Sequence, residues 1–125
     1  MPVASKDSIL VKIKKGLEYA QEWARAGQAR GYKVAEIHDS NTDRDYVLFI
    51  GTCRRRRGVG VYPCVAISER GPGYERVITQ PLRNVYAVLL VLATSVPVDQ
   101  LLKTLLEYMP KGGSISDVID SIEEE

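Results

Sequence analysis

Four consecutive arginines, Arg54, Arg55, Arg56 and Arg57, are the most specific chemical signal in this sequence. A guanidinium keeps its charge at any ordinary pH and offers a planar fork of N–H donors that matches a phosphate. Aromatic residues stand on either side, Phe49 before the run and Tyr62 after it. Alternate residues of a strand share a face. Phe49, Cys53, Arg55, Arg57, Tyr62 and Cys64 therefore fall on one side of a hairpin. Leu48, Ile50, Thr52, Arg54 and Arg56 fall on the other, with Val61, Val65 and Ile67, and that more apolar side should meet the helices. A face that mixes rings with fixed positive charge can stack bases and hold phosphates, with little preference for sequence because every base has a π-face. The plainer expectation is a solvated hairpin tip whose arginines keep an edge strand from pairing with another chain.

The same mixture recurs twice. Lys12, Tyr19, Trp23 and Arg30 fall along one edge of a first helix at about 100° per residue. As a surface they extend the basic and aromatic chemistry; as packing they widen the core stripe, which is the expected role. Tyr74 and Arg76 repeat the pairing on a late strand. Other constellations are weaker. The loop DSNTDRD spaces Asp39, Asn41 and Asp43 like the start of a calcium loop, but Arg44 replaces the required glycine and Ile50 the bidentate glutamate. A hydrolytic metal site on His38, Asp39, Asp43 and Asp45 is conceivable beside a plain polar turn, which is the expectation. Gly58, Gly60 and Pro63 nearly spell a dinucleotide fingerprint, without its third glycine or its following helix. Cys53 and Cys64 are too few for a zinc cluster. Paired across the hairpin they permit a disulfide on distance, and free buried thiols are the expectation. One histidine with no Ser or Cys partner leaves no nucleophile–base pair. No metal and no cofactor is expected.

The elements that must position these residues follow from periodicity. Ser5 or Ser8 can cap a helix over 8–30, with Ile9, Ile13, Leu17, Ala20 and Ala24 as its apolar stripe and Gly31 as its left-handed stop. Strands are expected over 32–38, 46–53, 61–67 and 74–80, the second being the clearest. A two-residue turn at Gly58-Val59 would set Cys53 opposite Cys64, Arg55 opposite Tyr62 and Pro63 opposite Arg54, at a site where no proline N–H is needed. That register makes the third strand an edge, or bulged, at Pro63. A turn at Val59-Gly60 would change the pairing. Residues 69–73 form the next turn. Pro81 suits the first turn of an all-round apolar helix over 82–96, and Pro97 that of a leucine-rich helix ending near Met109. Ser114 with Asp117 can open a last short helix, and the acidic 123–125 end opposes its dipole and should fray. The fold class is α+β, in the order α-β-β-β-β-α-α-α, with one domain over 1–113 and a C-terminal helix or tail over 114–125.

The chain has 125 residues, 45% of them hydrophobic and 26% charged, with a formal net charge of +1. This excludes a disordered chain, a collagen and a disulfide scaffold, and it makes any nucleic-acid reading depend on where the charge sits. The longest apolar run is too short to span a bilayer, which takes about 20 residues. The start lacks the apolar core of a signal peptide. The expected compartment is the cytoplasm, and the abundance of Lys, Arg and Glu over Asn, Gln, Cys and Met leans toward a thermophile.

The layout of a long N-terminal helix, a four-stranded antiparallel sheet bearing Arg and aromatic residues, and a C-terminal part with a leucine-rich helix resembles the ThermoDBP-type single-stranded DNA-binding proteins of thermophilic archaea. It does so over about residues 8–109, in element order and not through any short motif. The resemblance implies non-catalytic binding of single-stranded DNA, or RNA, by a homodimer, in a cleft with an aromatic or apolar floor and a basic rim. Phe49, Tyr62, Arg54, Arg55, Arg56, Arg57 and Trp23 are the matching positions. The chain departs from the family in lacking a long leucine zipper. Two other readings remain open on the residues alone: a protein-interaction module docking through its leucine-rich helices, and a metal-dependent nuclease built on the loop 38–45.

Overall fold

A computed structural model describes residues 6–111, and side chains within 8–110. Helix α1 spans Lys6–Ala26, followed by β1 (Gly31–Asp39), β2 (Arg44–Arg54), β3 (Val61–Gly71) and β4 (Tyr74–Pro81), then α2 (Leu82–Ser95), α3 (Val98–Tyr108) and a 3₁₀ turn at Met109–Lys111. The four strands form one antiparallel meander in the order β1-β2-β3-β4. This is the expected α+β order. Ser5, the Ser114–Asp117 cap and the acidic end lie outside the described residues.

The sheet has one covered face. Leu48, Ile50, Val65 and Ile67 point inward and are fully buried, as alternation from Leu48 requires. Against them, α1 lies over β1 and β2, α2 over β3 and β4, and α3 fills the space beside α2. Helix α1 supplies Ile9, Ile13 and Ala20. Gly16 belongs to the same buried stripe, because a Cβ there would stand 2.9 Å from the Cβ of Ile50. Leu17 and Ala24, expected on that stripe, are only partly buried at its edge. Leu101, Leu102, Leu105 and Leu106 of α3 are all buried, so these four leucines are taken up by the core.

Three boundaries differ from the sequence reading. Helix α1 stops at Gly27, φ +69°, not at Gly31. The Gln28 N–H donates to the Trp23 carbonyl (2.9 Å) and the Gly27 N–H to the Ala24 carbonyl (3.2 Å), the paired bonds of a Schellman ending. Arg30 therefore lies beyond the helix. The β2–β3 pairing is shifted by two residues from the expected one: Cys53 stands opposite Tyr62, Gly51 opposite Cys64 and Thr52 opposite Pro63. The connection is a six-residue loop, 55–60, with Gly58 and Gly60 at φ +90° and +101°. Both registers keep the same residues on the same faces, so the face assignment survives. Finally, β3 is an interior strand. Pro63 is accommodated because the β4 pairing begins one residue later, at Cys64 with Pro81, and because the Thr52 N–H opposite it points away, to the Arg30 carbonyl.

In β1 the register slips between Lys33 and Ala35. The bulge turns both Val34 and Ala35 inward. Among the described residues no helix is long and apolar enough to cross a membrane.

Candidate nucleic-acid interface

The outer face of the sheet is uncovered by any described element. Along it run Val47, Phe49 and Cys53 of β2, Tyr62, Cys64 and Ala66 of β3, and Val77 of β4, which is 55% exposed. Phe49 is half-buried between two hollows. The larger, 620 Å³, runs toward His38, Asp45 and Arg70; the smaller, 270 Å³, runs toward Gly31, Arg30 and the two cysteines.

Cys53 and Cys64 are joined in a disulfide, with Cα atoms 5.8 Å apart. The expectation of free thiols is thus corrected. The shifted register sets the two diagonally, still on one face and within the reach a disulfide needs. The bond ties β2 to β3 at the root of the arginine loop.

All four arginines of the run are exposed. The expected division, two toward the core and two outward, does not occur, because β2 ends at Arg54 and strand alternation ends with it. Charge pairing separates the arginines of the sheet and its flanking segments into two groups at opposite ends. At the end holding the β1–β2 and β3–β4 turns, Arg44 pairs with Glu69 (3.2 Å), Arg70 with Glu75 (3.3 Å) and Arg76 with Glu69 (3.8 Å). At the other end Arg30, Arg54, Arg55, Arg56, Arg57 and Arg83 have no carboxylate within ion-pair distance among the described residues. Two of them lie over rings instead: Arg30 over Trp23 at 4.8 Å and Arg55 over Tyr62 at 5.7 Å.

Not every residue predicted for the interface joins this end. Tyr74 and Arg76 lie at the far end of β3, which at about 3.3 Å per residue is roughly 30 Å away. There Tyr74 donates its hydroxyl to Glu69 (2.8 Å) and sits under the Arg44 guanidinium at 4.6 Å. Glu69, 5% exposed, is the centre of that cluster. Burial opposes its ionisation most strongly, but hydrogen bonds from Tyr74, Tyr46 and Arg44 together outweigh it and hold the carboxyl below its ordinary range. Tyr74 and Arg76 are therefore engaged by a buried carboxylate, at the end of the sheet away from the arginine run. Lys12, Tyr19 and Trp23 are carried by α1, on the covered side of the sheet. Trp23 is 9% exposed and stacks on Tyr19 at 5.3 Å, so the packing role, not a free ring, is what the fold gives it. Lys12 is exposed on the same helix, away from the outer face. Sequence reasoning missed Arg83, which follows the last strand by two residues and lines a hollow with Arg55 and Tyr62. The one available signal was its distance from β4.

The loop 38–45 does not gather metal ligands. His38 Nδ1 bonds Asp45 at 2.7 Å, while Asp39 turns away to Lys103 Nζ at 2.9 Å and accepts the Asn41 N–H. No group of three or more metal-capable side chains occurs among the described residues. The hydrogen bond to Asp45, against slight desolvation and with help from Asp43 and Asp39, raises the His38 pKa above 6.5. This is a turn stabilised by its own charges.

Compared with protein-family models, with curated proteins and with solved structures, the chain matches none of them.

Proposed function

We propose that this protein binds single-stranded nucleic acid without catalysis, using the arginine end of its uncovered sheet face. The carrying observation is the set of exposed guanidinium groups, unpaired among the described residues, on a sheet end where Arg55 lies over Tyr62 and Arg30 lines a hollow with Phe49. Cations without a carboxylate partner break no ion pair when they meet phosphates, whereas Arg44 and Arg76 would first have to leave a buried carboxylate. Arg54, Arg55, Arg56 and Arg57 hold phosphates, and Phe49 and Tyr62 offer faces to bases. The resemblance in element order to ThermoDBP-type proteins supports the same reading, with single-stranded DNA or RNA as ligand, and implies a cytoplasmic homodimer. An internal disulfide is compatible with that compartment in hyperthermophilic archaea, whose intracellular proteins carry many. Light scattering on the purified protein tests the dimer.

Fluorescence anisotropy with a labelled oligothymidylate, a mixed-sequence single strand and a duplex, each at two salt concentrations, tests the function. Tighter binding to the single strands is expected, with log affinity falling against log salt by about 0.7 per phosphate neutralised. Replacing all four arginines 54–57 by glutamine should flatten that slope. Absence of binding at low salt overturns the reading, and equal binding to duplex removes its single-strand preference.

A further inference from the structure

Tyr62 lies where three strands lose contact with one another. On one side β2 ends at Arg54, one residue past Cys53, the partner of Tyr62. On the other, the β3–β4 pairing stops at Cys64 with Pro81, and the chain turns into α2 at Leu82. Had β4 continued, residue 83 would have stood opposite Tyr62. The gap left by both departures is a hollow of 400 Å³ lined by Arg55, Tyr62, Pro63, Pro81 and Arg83. A phenol ring, two pyrrolidine rings and two arginines contribute to its lining. Neither arginine has a carboxylate partner among the described residues.

We infer that this hollow is a subsite for one nucleotide unit, its base lying against Tyr62, Pro63 and Pro81 and its phosphate held between Arg55 and Arg83. The inference rests on the proposed binding of single strands and adds to it a fixed position and a residue, Arg83, outside the arginine run. Size favours a single unit, since small-molecule sites span about 300–1,000 Å³ and this one is near the lower bound. The chemistry is complementary at both ends: a ring face for a base, worth a large part of single-strand affinity, and two forked donors for a phosphate. The Arg55 guanidinium lies over the Tyr62 ring at 5.7 Å, so a base stacking on that face displaces it toward the adjoining phosphate, a side-chain movement that breaks no ion pair.

The test is anisotropy of a labelled oligothymidylate against wild type, Tyr62→Ala, Tyr62→Phe, Arg83→Gln and, as a control from the far end of the sheet, Arg70→Gln, each first shown to be folded by circular dichroism. Tyr62→Ala and Arg83→Gln should each weaken binding about tenfold or more, with Tyr62→Phe and Arg70→Gln close to wild type. Thymidine 5′-monophosphate should displace the oligomer at lower concentration than thymidine or inorganic phosphate. Undiminished binding by Tyr62→Ala and Arg83→Gln, or displacement by inorganic phosphate as good as by the nucleotide, overturns the subsite while the broader function stands. Failure of wild type to bind any single strand overturns the function itself, and the subsite with it.

Discussion

Thr52 and Arg30 are bonded twice across the start of β1. The Thr52 N–H donates to the Arg30 carbonyl at 2.8 Å, and the Arg30 N–H donates to the Thr52 hydroxyl oxygen at 2.9 Å. The same hydroxyl donates onward to the Gln28 carbonyl. One buried threonine thus satisfies three backbone groups of the segment joining α1 to the sheet, and holds Arg30 beside the root of the arginine loop.

Thr52→Val keeps the volume but leaves the Arg30 N–H and the Gln28 carbonyl unpaired. A loss of about 1–3 kcal/mol is expected in urea unfolding, with Thr52→Ser much closer to wild type. Equal effects of the two substitutions would mean that the hydroxyl does not carry the link.

Gly51 is the tightest point in the same region. A Cβ there would stand 2.0 Å from the Arg30 carbonyl oxygen and 2.8 Å from the Gly31 Cα. Both are backbone atoms and cannot swing aside. Gly51→Ala should cost about 3 kcal/mol or more, measured as a lowered unfolding midpoint. Gly31→Ala, whose Cβ meets only the Phe49 ring at 3.6 Å, should be mild.

Glu69 gives the fold an acid-sensitive point. Its carboxyl ionises more readily folded than unfolded, so between the two pKa values the unfolded chain binds more protons and stability rises with pH. The contribution is full above the unfolded value, about 4.3, and is lost as pH falls through the lower folded one. Thermal unfolding across the acid range should show a steeper decline for wild type than for Glu69→Gln, which is expected to be less stable at neutral pH. His38 has the opposite sign: its raised pKa gives stability present below 6.5 and lost as pH climbs through the folded value. A proton NMR titration of the imidazole should find the midpoint above 6.5, and Asp45→Asn should lower it.

The Cys53–Cys64 bridge closes a short loop, with a sequence separation of 11. Chain-entropy arguments give such a bond about 2–4 kcal/mol. Unfolding of wild type in the presence of a reductant should show a loss of that size, and Cys53→Ser with Cys64→Ser should reproduce it without reductant. The slowest-exchanging core amides, which open only by global unfolding, should lose protection by the same free energy.

Local pattern was enough to find every described α-helix and strand, because Leu48, Ile50, Val65 and Ile67 alternate cleanly and α2 and α3 begin at prolines. It could not find the hairpin register. Gly58-Val59 and a six-residue loop are equally compatible with the alternation, and the choice is made by Gly51 and Thr52 binding the distant Arg30 segment. The disulfide was permitted by the pairing read from sequence as well, but distance alone does not decide between a bond and two free thiols. Of the candidate site, the exposure of the run 54–57 was legible because those residues are neighbours in sequence; the engagement of Trp23 by Tyr19 and of Tyr74 by the buried Glu69 was not. Which cations have partners is a property of three-dimensional neighbours.

The segregation of matched and unmatched guanidinium groups along the sheet means that a formal total of +1 conceals a local excess of positive charge at one end of the described residues. A polyanion approaching such a molecule experiences torque before contact and turns the cationic pole toward itself. Encounter rates should therefore rise as ionic strength falls, even though bulk charge alone would foretell almost no attraction.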